Sequence, residues 1–235
     1  ARILGVISQD KVFCEAMWND YDVHLEWAER IARAFPDVIG GAHYLEDKKR
    51  LNLFRKDIKN QFVFPAFYGS SVYSIASGVG VPIEIMLEIF KDFWNTFKGI
   101  KAWQKRTVEF YNKHGYVQTL TGRRRHNPLG YNELINSGIQ GTASDICVNG
   151  MNALSELDRD YIRVIMNIHD DVTSYVPDNN LEKGIDEIAE VMCVAANDLL
   201  PEINVPIVVE LTVGENWCDQ EDIGLYKSTD YIHVD

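Results

Sequence analysis

Apolar positions along this chain change their period several times. From 13 to 35 they recur every three to four residues, the spacing of a helix with one buried face, and FPDVIGG closes the run. The stretch 48–68 predicts a second helix with Pro65 as an awkward resident near its end. Gly69 follows, then a short helix over 72–76. Pro82 suits a first helical turn and opens a long amphipathic helix over 82–113. HGYVQTLTGRRR reads as a strand with a turn that Gly122 closes. A helix over 132–157 comes next, then two strands flanking His169, Asp170 and Asp171 in YIRVIMNIHDDVTSYVPD. A helix over 181–200 and a last strand, PIVVELTV, reach Gly214. Helices dominate the first half and a small antiparallel sheet lies in the second, so the fold class is α+β.

Composition adds bounds. The chain has 235 residues, of which 46% are hydrophobic and 25% charged, ordinary values for a globular protein with a real core. No apolar run approaches a membrane span, and ARILGVISQDKVF is too short and too soon charged for a signal peptide. No membrane partner is expected. Cys14, Cys147, Cys193 and Cys218 lie far apart without a C-x-x-C pair, which argues for reduced thiols in a cytoplasm and against a zinc site.

A net charge of −12 argues against nucleic acid until its distribution is read. Between Lys48 and Asn60, six cations face Asp57 alone; between Lys98 and Arg125, eight face Glu109 alone. More than half of the acid lies beyond residue 150. Such asymmetry suits a basic cleft with an acidic back or catalytic floor, although either run by itself also reads as a solvated helix face.

Two motifs carry candidate chemistry. Asp170 and Asp171 sit between VIMNI and VTSYV, both strongly strand-forming, where a sheet would present a carboxylate to Mg2+. Asp is also common in polar turns, and adjacent strand residues point to opposite faces, so the two acids are not equal ligands. In RLNLFRKDIKNQFVFPAFYGSS, Arg55 and Lys59 are four apart, as are Phe64 and Tyr68. Two cations followed by two aromatics on a helix suit a nucleoside triphosphate, with charge for phosphates and flat rings for sugar and base.

Taken in order, several blocks resemble the C-terminal part of family-A DNA polymerases, the DNA polymerase I group. They are DVHLEWA, R-x3-K with F-x3-YG, GYVQTLTGRRR, INSGIQGTASD, NIHDDV and VGENW, and INSGIQGTASD is the most specific. The resemblance covers nearly the whole chain. It implies a partial right-hand polymerase fold without the thumb: palm over 1–12, helical fingers over 13–112, and C-terminal palm over 113–235. It implies DNA synthesis from dNTPs on primer-template DNA by a two-metal mechanism. Asp170 would hold the catalytic metals and His169 would touch the primer end. His24, Arg55 and Lys59 would meet the triphosphate, with Phe64 and Tyr68 against the incoming nucleotide and template base. Asn136 and Gln140 would line the minor groove near the new pair, and Arg123, Arg124 and Arg125 would hold backbone phosphates.

Three departures shape the expectations. Lys59 to Phe64 is five residues where the family keeps a step of four. Either Lys56 and Asn60 replace the usual cations, or Pro65 loosens the helix into a π turn that absorbs one residue. Asp171 stands where the family's motif C has Glu, one methylene longer, so Asp170 carries the metal assignment. Motif A, whose Asp bridges both metals, is missing, and ARILGVISQD fits the residues just after it. Two Mg2+ ions would then need a further carboxylate from outside this chain. A second polypeptide carrying motif A and the thumb, with or without a proofreading exonuclease domain, is the expected partner, in a polymerase split at motif A; the competing reading is that motif A lies upstream in a longer chain. The HDD form and the short run after Arg125 point to a phage-type protein in a bacterial or phage-infected host cytoplasm. A non-catalytic DNA-binding subunit and a single-subunit RNA polymerase are the alternative readings.

Overall fold

In the computed structural model, which describes residues 1–157 and 159–231, helices dominate. The order begins with α1 (Arg2–Ser8), α2 (Lys11–Trp18), α3 (Val23–Ala34) and α4 (Lys48–Ile58). A π turn, Lys59–Val63, continues α4 into α5 (Phe64–Phe67). Then come α6 (Val72–Val79), α7 (Ile83–Thr96), α8 (Lys98–His114), β1 (Tyr116–Gln118), β2 (Arg124–His126) and α9 (Tyr131–Glu156). β3 (Arg163–Ile168), β4 (Asp171–Tyr175), α10 (Leu181–Leu199), β5 (Val208–Gly214) and β6 (Gln220–Lys227) complete it. The strands pair as β1 with β2, β3 with β4 and β5 with β6, each a two-stranded sheet. The class is α+β, mostly helical.

Contacts divide the chain into two compact units. Residues 7–117 and 125–136 form one; residues 1–6, 118–124 and 137–235 form the other. Compared with the boundaries expected from the sequence, the helical unit also gathers 7–12, 113–117 and 125–136.

Two long helices expected from periodicity are broken, each by capping. The run 13–35 is two helices, because Asp20 takes a left-handed φ of 50° and Asp22 caps α3 by accepting the Leu25 N–H at 2.9 Å. The run 82–113 breaks at Phe97. There the buried Asp10 carboxylate accepts the N–H groups of Gly99 at 2.6 Å and Ile100 at 3.2 Å, while its other oxygen caps α2 through Phe13. One carboxylate thus satisfies orphan donors of two helices. A Cβ at Gly99 would lie 2.8 Å from the Asp10 backbone, so the approach needs glycine. Periodicity could not show a cap supplied from 89 residues away.

The π turn falls where Pro65 led us to expect it. Phe64 donates its N–H to the Lys59 carbonyl, five residues back. On the inner side of this helix Phe54, Ile58, Phe62, Val63, Ala66 and Phe67 are buried. Phe93, fully buried on α7, stands with its ring centroid 4.9 Å from Phe62 and 5.1 Å from Phe67. It also lies 5.0 Å from both Trp27 and Phe97, in tilted and edge-on geometries that aromatic pairs favour.

In the other unit, α10 lays Ala189, Cys193 and Ala196 inward, and the Cys193 thiol donates to the Tyr226 carbonyl of β6 at 3.5 Å. Burial pushes that thiol up to about 11. β3 and β4 pair with Ile168 opposite Asp171, which leaves His169 and Asp170 as a two-residue turn. His169 alone of that pair has positive φ, 59°, the sign pattern of a II′ hairpin turn. The expectation of a carboxylate on the sheet is therefore corrected for Asp170. It occupies the turn, and Asp171 begins the strand.

Phe93→Ala is expected to cost about 3–5 kcal/mol, because it removes the ring that five others pack against. Urea melts of the two proteins measure it, and a loss below about 1 kcal/mol would contradict the central place given to this ring.

Candidate active site

The outer face of the α4–α5 helix and the start of α3 build one constellation in the helical unit. Lys59 places its ammonium 5.5 Å from the Phe64 ring centroid, and the Phe64 and Tyr68 rings lie 5.8 Å apart. His24, in the first turn of α3, meets Phe64 edge-on at 5.2 Å. Arg55 is tied through Nε to Asp22, the cap of the helix that carries His24. Hence Arg55, Lys59, Phe64 and Tyr68 share a face only because the π turn inserts one residue between the cations and the rings. Lys56 and Asn60 are not needed in their place.

Electrostatics mark His24. Burial first, then the charges of Arg55 and Lys59, bring its pKa down to about 4, so the ring is neutral near neutral pH. Its Nδ1 is buried and without a hydrogen-bond partner among the described residues. Burial works against the Asp22 carboxylate, yet the Arg55 hydrogen bond and the Leu25 N–H hold its pKa below the ordinary value. The surface is a fork of cations with a neutral imidazole beside two aromatic faces, an arrangement suited to a polyphosphate joined to a flat ring system.

The acidic turn belongs to the other unit. His169, Asp170 and Asp171 are all exposed. Asn167 braces the turn, donating from Nδ2 to the Asp171 carbonyl at 2.9 Å and to the Cys147 sulfur of α9 at 3.3 Å. Burial raises the Cys147 thiol, and the charges of Asp170 and Asp171 add to it. The two carboxylates offer hard oxygens of the kind Mg2+ takes. Among the described residues no group of three or more His, Cys, Asp or Glu side chains converges to hold a metal. The acids on this turn fit part of an octahedral shell.

With both halves of the geometry described, comparison with known proteins is decisive. A profile of the family described as DNA polymerase family A matches residues 1–219. The chain belongs to DNA polymerase family A. DNA polymerase I of Chloroflexus aurantiacus is 28% identical over 238 residues, covering 95% of this chain and 24% of that protein. DNA polymerase theta of Drosophila melanogaster is 25% identical over 247 residues, covering 95% of this chain and 11% of that protein. The chain spans about a quarter or less of the length of these relatives. The POL domain of Pol1 from M. smegmatis, solved in complex with DNA primer-template and dNTP, matches with a TM-score of 0.65. That match covers 83% of this chain and 35% of the other at 23% identity, a likeness of fold.

In this family-A chain the three arginines of the β1–β2 hairpin have separate tethers. Arg123 pairs with Asp145 at 2.8 Å and donates to the Gly141 carbonyl at 2.9 Å. Arg124 donates to Gln118 at 3.1 Å, and Arg125 pairs with Glu133 at 3.0 Å. Asn136 and Gln140 lie four apart on α9, Gln140 exposed and Asn136 with a buried Oδ1 that has no hydrogen-bond partner among the described residues.

Sequence reasoning missed the residues that hold these groups. Asp22 orients Arg55. Asp145 takes hydrogen bonds from both Thr121 and Arg123, and the buried Thr142 hydroxyl accepts the Leu120 N–H at 3.0 Å. A Cβ at Gly141 would sit 2.6 Å from Thr119, so the turn presses directly on the helix. Gly138, Gly141, Thr142 and Asp145 repeat at helical spacing, a small polar stripe that signals a close neighbour.

His24 makes stability depend on pH. With a folded-state pKa of about 4 against 6.5, the unfolded chain binds a proton between those values that the folded chain refuses. Stability from this group is full above pH 6.5 and falls as pH drops towards 4. His24→Gln is expected to flatten that part of the curve in urea melts across the range; an unchanged slope would contradict the buried neutral ring.

Proposed function

We propose that the chain is the fingers and C-terminal palm portion of a DNA-directed DNA polymerase, joining a dNTP to a primer 3′-hydroxyl on a template. The observation that carries this is the gathering of His24, Arg55, Lys59, Phe64 and Tyr68 on one face, in a chain of this family. Arg55 and Lys59 bind the triphosphate, and each contact strengthens as negative charge builds on the departing phosphates. His24, neutral before binding, donates to a phosphate oxygen or gains a proton beside it. Phe64 lies against the sugar and Tyr68 against the template base, fixing the nucleotide's plane. His169 touches the primer end, Asn136 and Gln140 line the minor groove, and Arg123, Arg124 and Arg125 steady the backbone.

Asp170 is the metal-holding carboxylate, with Asp171 beside it and a further carboxylate from outside the described residues completing the site. When bound there, magnesium ions activate the primer hydroxyl and neutralise charge on the phosphates. Exposed Ile165, Met166 and Ile168 along β3 support a further segment, from outside the described residues, beside this hairpin.

Primer extension with Mg2+ and dNTPs tests this reading. The isolated chain is expected to bind primer-template without extending it. In the assembled enzyme Asp170→Ala should cut extension about a hundredfold or more while leaving DNA binding within about twofold. Extension by the isolated chain, abolished by Asp170→Ala, would mean that it completes its own metal site. Equal use of ribonucleotides would favour an RNA polymerase.

A further inference from the structure

One buried amide is unused by the proposed function. Gln104 on α8 leaves 1% of its surface exposed, and its side chain reaches the end of the helix that carries Phe64 and Tyr68. Its Nε2 donates to the Ala66 carbonyl at 3.2 Å and to the Phe67 carbonyl at 2.9 Å. Only the nitrogen of an amide can serve two carbonyls, which turns Oε1 the other way. There it accepts from the Lys101 ammonium at 3.4 Å, and Lys101 itself lies 4.6 Å from the Trp94 ring centroid. All of these residues belong to the helical unit.

A helix ends in carbonyls that no N–H of its own can satisfy. At the end of α5, Tyr68 donates to Phe64, Gly69 to Ala66 and Ser70 to Pro65, but among the described residues no backbone N–H reaches the Phe67 carbonyl. Gln104 supplies that donor from 37 residues away. The Phe67 carbonyl and the Tyr68 N–H belong to one rigid peptide plane. That plane is gripped on both sides, by Gln104 at its oxygen and by the Phe64 carbonyl 2.9 Å from the Tyr68 nitrogen. Immediately beyond it the chain leaves the helix: Tyr68 has φ −90° and ψ 7°, and Gly69 a φ of 92°. The Tyr131 ring leaves no room for a Cβ at Gly69. The direction in which the Tyr68 ring departs is set by a plane that α8 holds.

We propose that Gln104 is a positioning residue for base selection, fixing through the Phe67–Tyr68 peptide the ring that meets the template base. This rests on the polymerase reading and adds a buried residue that touches neither nucleotide nor DNA. A ring lying against a base pair discriminates by shape only while its own position is fixed. Released, it accommodates wrong pairs as well as right ones.

Fluorine NMR of the whole chain, grown with fluorotyrosine, tests the grip, and the assembled enzyme tests its use. The Tyr68 resonance is identified by its loss in Tyr68→Phe. Gln104→Met keeps the side-chain length and removes both donors, and a urea melt checks folding. It is expected to broaden or split the Tyr68 resonance. Binding of inorganic tripolyphosphate, which reads Arg55 and Lys59 earlier on the helix, should stay within about twofold. In the assembled enzyme the ratio of kcat/KM for correct over incorrect dNTP should fall about tenfold. In a Tyr68→Ala background the same substitution should lower that ratio no further. Should Gln104→Met unfold, Lys101→Met removes the ammonium that orients the amide and is expected to disturb the same resonance. Tripolyphosphate binding lost in step with discrimination would overturn the proposal, since Gln104 would then support the whole helix. An unchanged Tyr68 resonance would also overturn it and leave the polymerase reading intact. A disturbed resonance with unchanged discrimination would overturn the part given to Gln104 in base selection. No template-directed extension by the assembled enzyme would sink both.

Discussion

The packing of Phe62 and Phe67 against Phe93 governs what the outer side of the α4–α5 helix presents. Both rings are buried, and they bracket the point where the helix takes its extra residue. The inner face steps five residues from Phe62 to Phe67, as the outer face steps five from Lys59 to Phe64. In a regular α-helix that added residue would turn everything beyond it by about 100°. Either Phe67 would leave the core or Phe64 and Tyr68 would leave the cations. The π turn resolves both at once, and Pro65, unable to donate to Gln61, makes the regular alternative costly.

Charge is then fitted to this face. Asp22 caps α3 and holds Arg55, so one acid sets both the helix bearing His24 and the cation next to it. His24 stays neutral because it is buried between cations, and an arriving polyphosphate would remove that reason. The acidic turn follows a different logic. Its strained His169 backbone and exposed carboxylates are held by Asn167 from the adjoining strand, a rigid base for groups that interact poorly with one another.

Much of this was legible in the sequence, and the limits have physical causes. Periodicity located most of the helices because they bury one stripe, but the seven-residue α1 (Arg2–Ser8) was not anticipated. It ran α2 into α3 and α7 into α8 because the breaks depend on caps, one of them the distant Asp10 carboxylate. The irregular step from Lys59 to Phe64 together with Pro65 was enough to anticipate the π turn, since the anomaly was local. β6 was not anticipated: Gln220–Lys227 mixes acids with glycine and becomes a strand through pairing with β5. Chemistry-bearing residues stood out by type, whereas Asp22, Thr142 and Asp145 act through neighbours that only the fold brings near.

The most direct measurement compares two single-residue deletions by calorimetric titration with inorganic tripolyphosphate. Deleting Asn60, exposed within the π turn, should convert the turn to regular helix and keep Arg55 and Lys59 aligned with Phe64. Binding is then expected to stay within about threefold of the unaltered chain, since a contact moved by less costs under about 1 kcal/mol. Deleting Asn52, exposed on α4, leaves both the turn and the register of Arg55 and Lys59 with Phe64 in place but rotates the first turn of α4 with its buried Leu51, and should cost stability rather than binding. Loss of tripolyphosphate binding on deletion of Asn60, with the fold intact, would contradict the claim that the π turn serves to align these residues.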